Sequence, residues 1–239
     1  MEPLSGEERM MIKSDQLKTA LSMVRERIAI AKRQATHRGF IDYRSCLSVC
    51  HEFISILDDA GQAAASGDWI YAYSVAALVL VNCARLVGSA DDSAGGINDT
   101  RRDVIKVLET TCAGVAYGST DAEFIFLQAL KDSQNKAFDS CDEFAYDLLL
   151  PTASLATTNN VKKLYDVLDI FAARLIRQEY TSWYHEQDRL IRLSAITAVE
   201  GCQAAEQYIA GNLEYDGIRR IAIRHAVESV DFDLAEKLC

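Results

Sequence analysis

Proline is scarce, with two in 239 residues, and only twelve glycines accompany it. Long segments therefore run without the residues that break helices. Strict apolar–polar alternation, the mark of a half-buried strand, is nearly missing. So are a glycine-rich phosphate loop, a nucleophile elbow and a dinucleotide fingerprint, which removes the enzyme classes that announce themselves in a linear motif. The N-terminal "MEPLSGEERMMIK" has no continuous apolar core, so it does not read as a signal peptide. Positive charge is also short: 25 Lys and Arg against 35 Asp and Glu leave a net charge of −10, and such a surface repels phosphate on average. A general DNA or RNA binder is disfavoured. A local basic stripe of Arg25, Arg27, Lys32, Arg33, Arg38 and Arg44, interrupted by Glu26 and Asp42, reads as a solvated helix face.

What is present is helical rhythm. Cys46, Cys50, Phe53 and Leu57 form one apolar stripe, and Val104, Leu108, Cys112 and Val115 form another. Val161, Leu164, Tyr165, Leu168, Phe171, Ala172, Leu175 and Ile176 make the cleanest, after Thr158, Asn159 and Asn160 as N-cap candidates. The pattern predicts helices near 9–36, 42–66, 68–88, 98–117, 121–137, 140–150, 159–179, 182–200, 202–212, 216–229 and 231–239, with no strand. Pro151 should end the sixth. Short connections favour antiparallel neighbours. The expected fold is all-α: stacked antiparallel helical hairpins forming a short solenoid, with subdomains 1–150 and 151–239. The segment Trp69 to Val87 approaches membrane-spanning length, but Asn82 and Arg85 inside it favour a central buried helix over a span.

Seven cysteines, an odd number at irregular spacing, read as reduced thiols in a cytoplasm. Cys46 and Cys50, four apart on a helix, could share a metal with His37 and His51. They are also the apolar stripe, and His51 points about 100° away from Cys50. The expectation is two core cysteines and two surface histidines, with no metal and no cofactor. The loop "DDSAGGIND" offers Asp91, Asp92, Asn98 and Asp99, but it lacks the ligand spacing of a calcium loop. Asn98 or Thr100 reads instead as the N-cap of the following helix, and Gly95-Gly96 as the bend before it.

Three junctions echo one another: Ser66-Gly67-Asp68-Trp69, Gly211-Asn212-Leu213-Glu214-Tyr215 and Ser229-Val230-Asp231-Phe232. Each puts an acidic residue and an aromatic one at a helix start, an arrangement that resembles the tetratricopeptide-like α-solenoids in architecture. The final "DFDLAEKLC" sets Phe232, Ala235 and Leu238 on one face without a polar closing helix. A solenoid needs such a cap, so the chain reads as part of a longer protein, or as one that hides this face by homodimerisation.

"RGFIDYR" at Arg38 to Arg44, opening a helix, and "DDSAGG" after the next one resemble the helical region of uncharacterised bacterial proteins that carry a SWIM zinc finger. The match runs from Arg38 to Gly96. The finger's Cys-x-Cys and Cys-x-His pairs are not in this sequence, so the resemblance implies the accessory helical half, a scaffold and not a reaction. The expectation is a non-enzymatic scaffold or protein-interaction module with a protein partner, the charge and the Trp69 to Val87 reading arguing against a direct nucleic-acid or membrane ligand. Separately, "RIAIRH" resembles the Arg-x4-His motif of HEPN-type ribonucleases. That resemblance implies a metal-independent ribonuclease in which His225 acts as acid or base and Arg220 steadies phosphate charge.

Overall fold

The computed structural model describes residues 6–175 and 181–239, with side-chain positions within 15–174 and 181–239. Among them are eleven α-helices: α1 Gly6–Ala35, α2 Tyr43–Ala65, α3 Trp69–Val87, α4 Gly96–Gly114, α5 Thr120–Asp132, α6 Glu143–Thr152, α7 Val161–Leu175, α8 Ser182–Glu200, α9 Cys202–Ala210, α10 Asp216–Glu228 and α11 Phe232–Leu238. The protein is all-α, its helices stacked on one another, and each expected helix is present. The chain forms two units. One holds α1 to α4 with Asn135–Phe144; the other holds Ala116–Gln134 with Ala145–Cys239. The expected boundary at Pro151 thus lies inside the second unit.

In the first unit α2 packs on α1, α3 and α4, and α3 on α4. The stripe predicted on α2 is its buried face: Cys46, Cys50, Phe53 and Leu57 are all inside, as are Val104, Leu108, Cys112 and Val115 at α4. Helix α3 is the one helix among the described residues long and apolar enough to cross a membrane, and 67% of that apolar window is buried within the protein. Its Asn82 is held there by bonds that satisfy both ends of the amide: Nδ2 donates to Leu78 O (2.9 Å) and Oδ1 accepts from Lys32 Nζ (3.3 Å). In the second unit the α8–α10 helices enclose Leu193, Ala205, Ile209 and Ile218. Leu164, Leu168 and Phe171 of the α7 stripe are buried, while Ile176 of that stripe lies outside the described residues.

Four local expectations are corrected. A small antiparallel hairpin, β1 Thr36–His37 and β2 Phe40–Ile41, joins α1 to α2 where no strand was expected. Its turn residues Arg38 and Gly39 both have positive φ (51° and 84°), the mirror-image turn that suits strand twist. Helix α4 starts at Gly96, ahead of Asn98 and Thr100; its cap is the Asp92 carboxylate, which accepts from Ile97 N at 3.0 Å. Thr100 is buried inside the helix, its hydroxyl donating back to Gly96 O. Helix α5 stops at Asp132, before a separate 3-10 turn at Lys136–Phe138. Finally, α6 runs through Pro151 to Thr152: the ring removes one backbone bond, to the carbonyl of Asp147, and the helix ends one residue later, where the Thr152 hydroxyl donates to Leu148 O at 2.8 Å.

Candidate functional site

The hairpin is where the two quoted motifs meet. Ile41 N donates to Ser89 O (3.0 Å) and Asp91 N donates to Ile41 O (2.9 Å), so the loop after α3 lies along β2. Within "GFIDYR", Ile41 is buried and Asp42 caps α2, its Oδ1 accepting from Arg44 N and Ser45 N at 3.0 and 3.1 Å. Within "DDSAGG", Asp91 accepts from Ser93 N, and Gly95 supplies a left-handed φ of 75°. Gly96 lets α4 come close to α2: a Cβ there would sit 3.1 Å from Cys50 Sγ. Both loop aspartates thus serve the backbone. The remaining motif side chains, Arg38, Phe40, Tyr43 and Arg44, are exposed, and among the described residues no hydrogen bond or ion pair holds their side chains.

Cys46 and Cys50 face the core, while His37 and His51 are on the surface, so the four are not brought together. Among the described residues no group of three His, Cys, Asp or Glu side chains is placed to hold a metal ion. Burial raises the thiols: Cys50, with Cys46 beside it, is pushed up to about 12, and Cys83 is raised well above the ordinary range. These groups stay protonated and unreactive at neutral pH.

Arg220 and His225 are both exposed on α10, and five residues of helix set them about 140° apart around the axis. His225 Nδ1 pairs with Glu206 Oε1 of α9 at 2.7 Å. It therefore sits at a helix interface, held by a carboxylate, while the stripe of Ile218, Ile221 and Ala222 faces the core cluster.

Sequence reasoning missed two features. On α8, the largely buried Asp188 takes Arg189 Nη1 at 3.0 Å and Arg192 Nε at 2.9 Å, and Arg192 also reaches Asp169 of α7 at 2.7 Å. The i, i+4 spacing of Asp188 and Arg192 was the available signal. The second is a groove of about 460 Å³ between α1 and α2, with Ile30 and Val49 in it and Gln34, Ser45 and Ser48 along it. At one end Arg27 binds Glu52 (2.9 Å) and Asp59 (2.8 Å); the hairpin is at the other. No family model, curated protein or solved structure matches the chain.

Proposed function

We propose that the chain is a non-enzymatic helical interaction module of a bacterial cytoplasm, accessory to a zinc-finger protein and built in the manner of a short tetratricopeptide-like solenoid. One observation carries the reading. Val227, Val230, Phe232 and Leu234, on α10, α11 and the turn between them, are 47%, 68%, 61% and 44% exposed. Four large apolar side chains open to solvent on consecutive turns mark a surface that another protein covers. The expected face is redistributed: Ala235 is buried, Leu238 half-buried, and Phe232 turns outward to join Leu234. The zinc-finger association rests on the Arg38 to Gly96 resemblance, whose buried and capping residues build the first unit.

A second reading, a metal-independent ribonuclease using His225 and Arg220, draws support from the Glu206 contact. A carboxylate on Nδ1 orients the imidazole and leaves Nε2 for a substrate. The angle between the two side chains works against it. Labelled RNA incubated with the protein and a chelator, beside His225→Ala, separates the readings. No cleavage by either protein is the expected result; cleavage that vanishes in the variant would overturn the scaffold.

A further inference from the structure

The chain carries its charge unevenly. Residues 25–44 hold six basic and two acidic side chains, a net of +4 inside a protein of −10. Three nearby carboxylates are engaged, Glu52 and Asp59 with Arg27 and Asp42 as the cap of α2, while Glu26 is exposed. Arg33, Arg38 and Arg44 are exposed at the hairpin end of the α1–α2 pair and form no ion pair among the described residues. Arg38 is set at the hairpin tip with φ of 51°, a position glycine or asparagine fills more readily. Phe40 and Tyr43 are exposed beside these arginines, and the groove with Ile30 and Val49 opens next to them.

The opposite character appears in residues 226–239. Glu228, Asp231, Asp233 and Glu236 outweigh Lys237, for a net of −3, and they alternate with the uncovered Val230, Phe232 and Leu234. We propose that the groove between α1 and α2, together with the arginine-bearing hairpin at its end, docks this acidic, apolar segment of a second copy of the chain, so that copies join head to tail. The inference rests on the interaction-module reading and names its partner. Phe232 and Leu234 would meet Ile30 and Phe40, while Asp233 and Glu236 would meet Arg38 and Arg44. A nucleic acid fits less well: phosphate binding draws on many cationic contacts, and a strand leaving this small patch enters a surface of net negative charge. Such a contact uses two different patches, so mass grows with concentration: to a closed pair where each copy's tail enters the other's groove, and beyond a dimer where the contacts run on from copy to copy.

The test is sedimentation velocity of the full chain over a concentration series at low and high salt. Three samples are compared: wild type, Arg38→Glu/Arg44→Glu, and Asp233→Lys/Glu236→Lys. The changed side chains are all exposed, and circular dichroism checks that each variant folds. Wild type should associate, less so at high salt, and each double variant should associate at least about tenfold more weakly. An equimolar mixture of the two variants should form dimers, because each supplies the intact surface the other lacks. Three results would overturn the proposal: wild type monomeric at every concentration, association that survives the arginine reversal, or a mixture that stays monomeric. None of these touches the scaffold reading, which the RNA assay decides.

Discussion

Asp42 shows how one side chain at the surface sets the start of a helix. The Ser45 amide, the Ser45 hydroxyl and the Arg44 amide hold its carboxyl below the ordinary 3.8. The folded state therefore binds fewer protons than the unfolded state just under that pH. The stability from this cap is complete above 3.8 and drains away as pH falls through the folded value. Unfolding of wild type and Asp42→Ala, followed in urea at several pH values, should differ near neutrality and converge in acid. At this scale much was legible. The 100° step between Cys50 and His51 placed one inside and the other outside, as the structure has them. Asp92 was not legible as a cap, because the amide it serves lies five residues on at Ile97, farther than the usual capping reach.

Helices were readable because their stripes repeat over many turns, and the hairpin was hidden because two-residue strands show no period. The junction echo was half right. At Gly67 and Val230 the chain takes the same path: φ of 86° and 62°, then an aspartate whose amide donates back to Ala63 O or Ala226 O, and whose carboxylate accepts from Tyr71 N or Leu234 N. At the third junction the cap residue Gly211 matches Ser66 and Ser229 (φ of −84°, −91° and −85°), but Asn212, which follows it, does not take the positive φ of Gly67 and Val230, so the third member differs there. Spelling did not reveal this, since a valine occupies a left-handed position that penalises a branched Cβ by roughly 1–2 kcal/mol. Val230→Gly should raise stability by up to about 1 kcal/mol once glycine's larger chain entropy is set against the relief. Gly67→Val should lower it. Chemical denaturation of both at a concentration where the chain is monomeric measures the pair.

Across the whole molecule, the division into units escaped the sequence because helical periodicity says which face is buried and not what covers it. Residues 135–144 belong with the first unit: Phe138 stacks on Phe144 at 6.2 Å, and Cys141 Sγ approaches Ala84 O at 3.9 Å. The cysteines report on the same burial. Only Cys202 and Cys239 of the seven are exposed. An aromatic disulfide reagent should titrate two thiols in the native protein and all seven in denaturant. Cys50 and Cys112 are held at about 12 by burial, against an ordinary 9.0. Between those values the unfolded chain loses thiol protons that the folded one keeps, so stability should fall as pH rises past about 9. A third fast-reacting thiol at neutral pH would show that the packing around α2 to α4 opens.

Asp68 ends the closing turn of α2 and opens α3, and Asp231 does the same between α10 and α11. A residue shared in this way leaves the joint without slack. Substitution there changes an energy, whereas a single inserted residue would separate the amide that bonds Ala63 or Ala226 from the carboxylate that caps Tyr71 or Leu234, and one of the two contacts would be lost. At these two points the number of residues is therefore more strictly constrained than their identity.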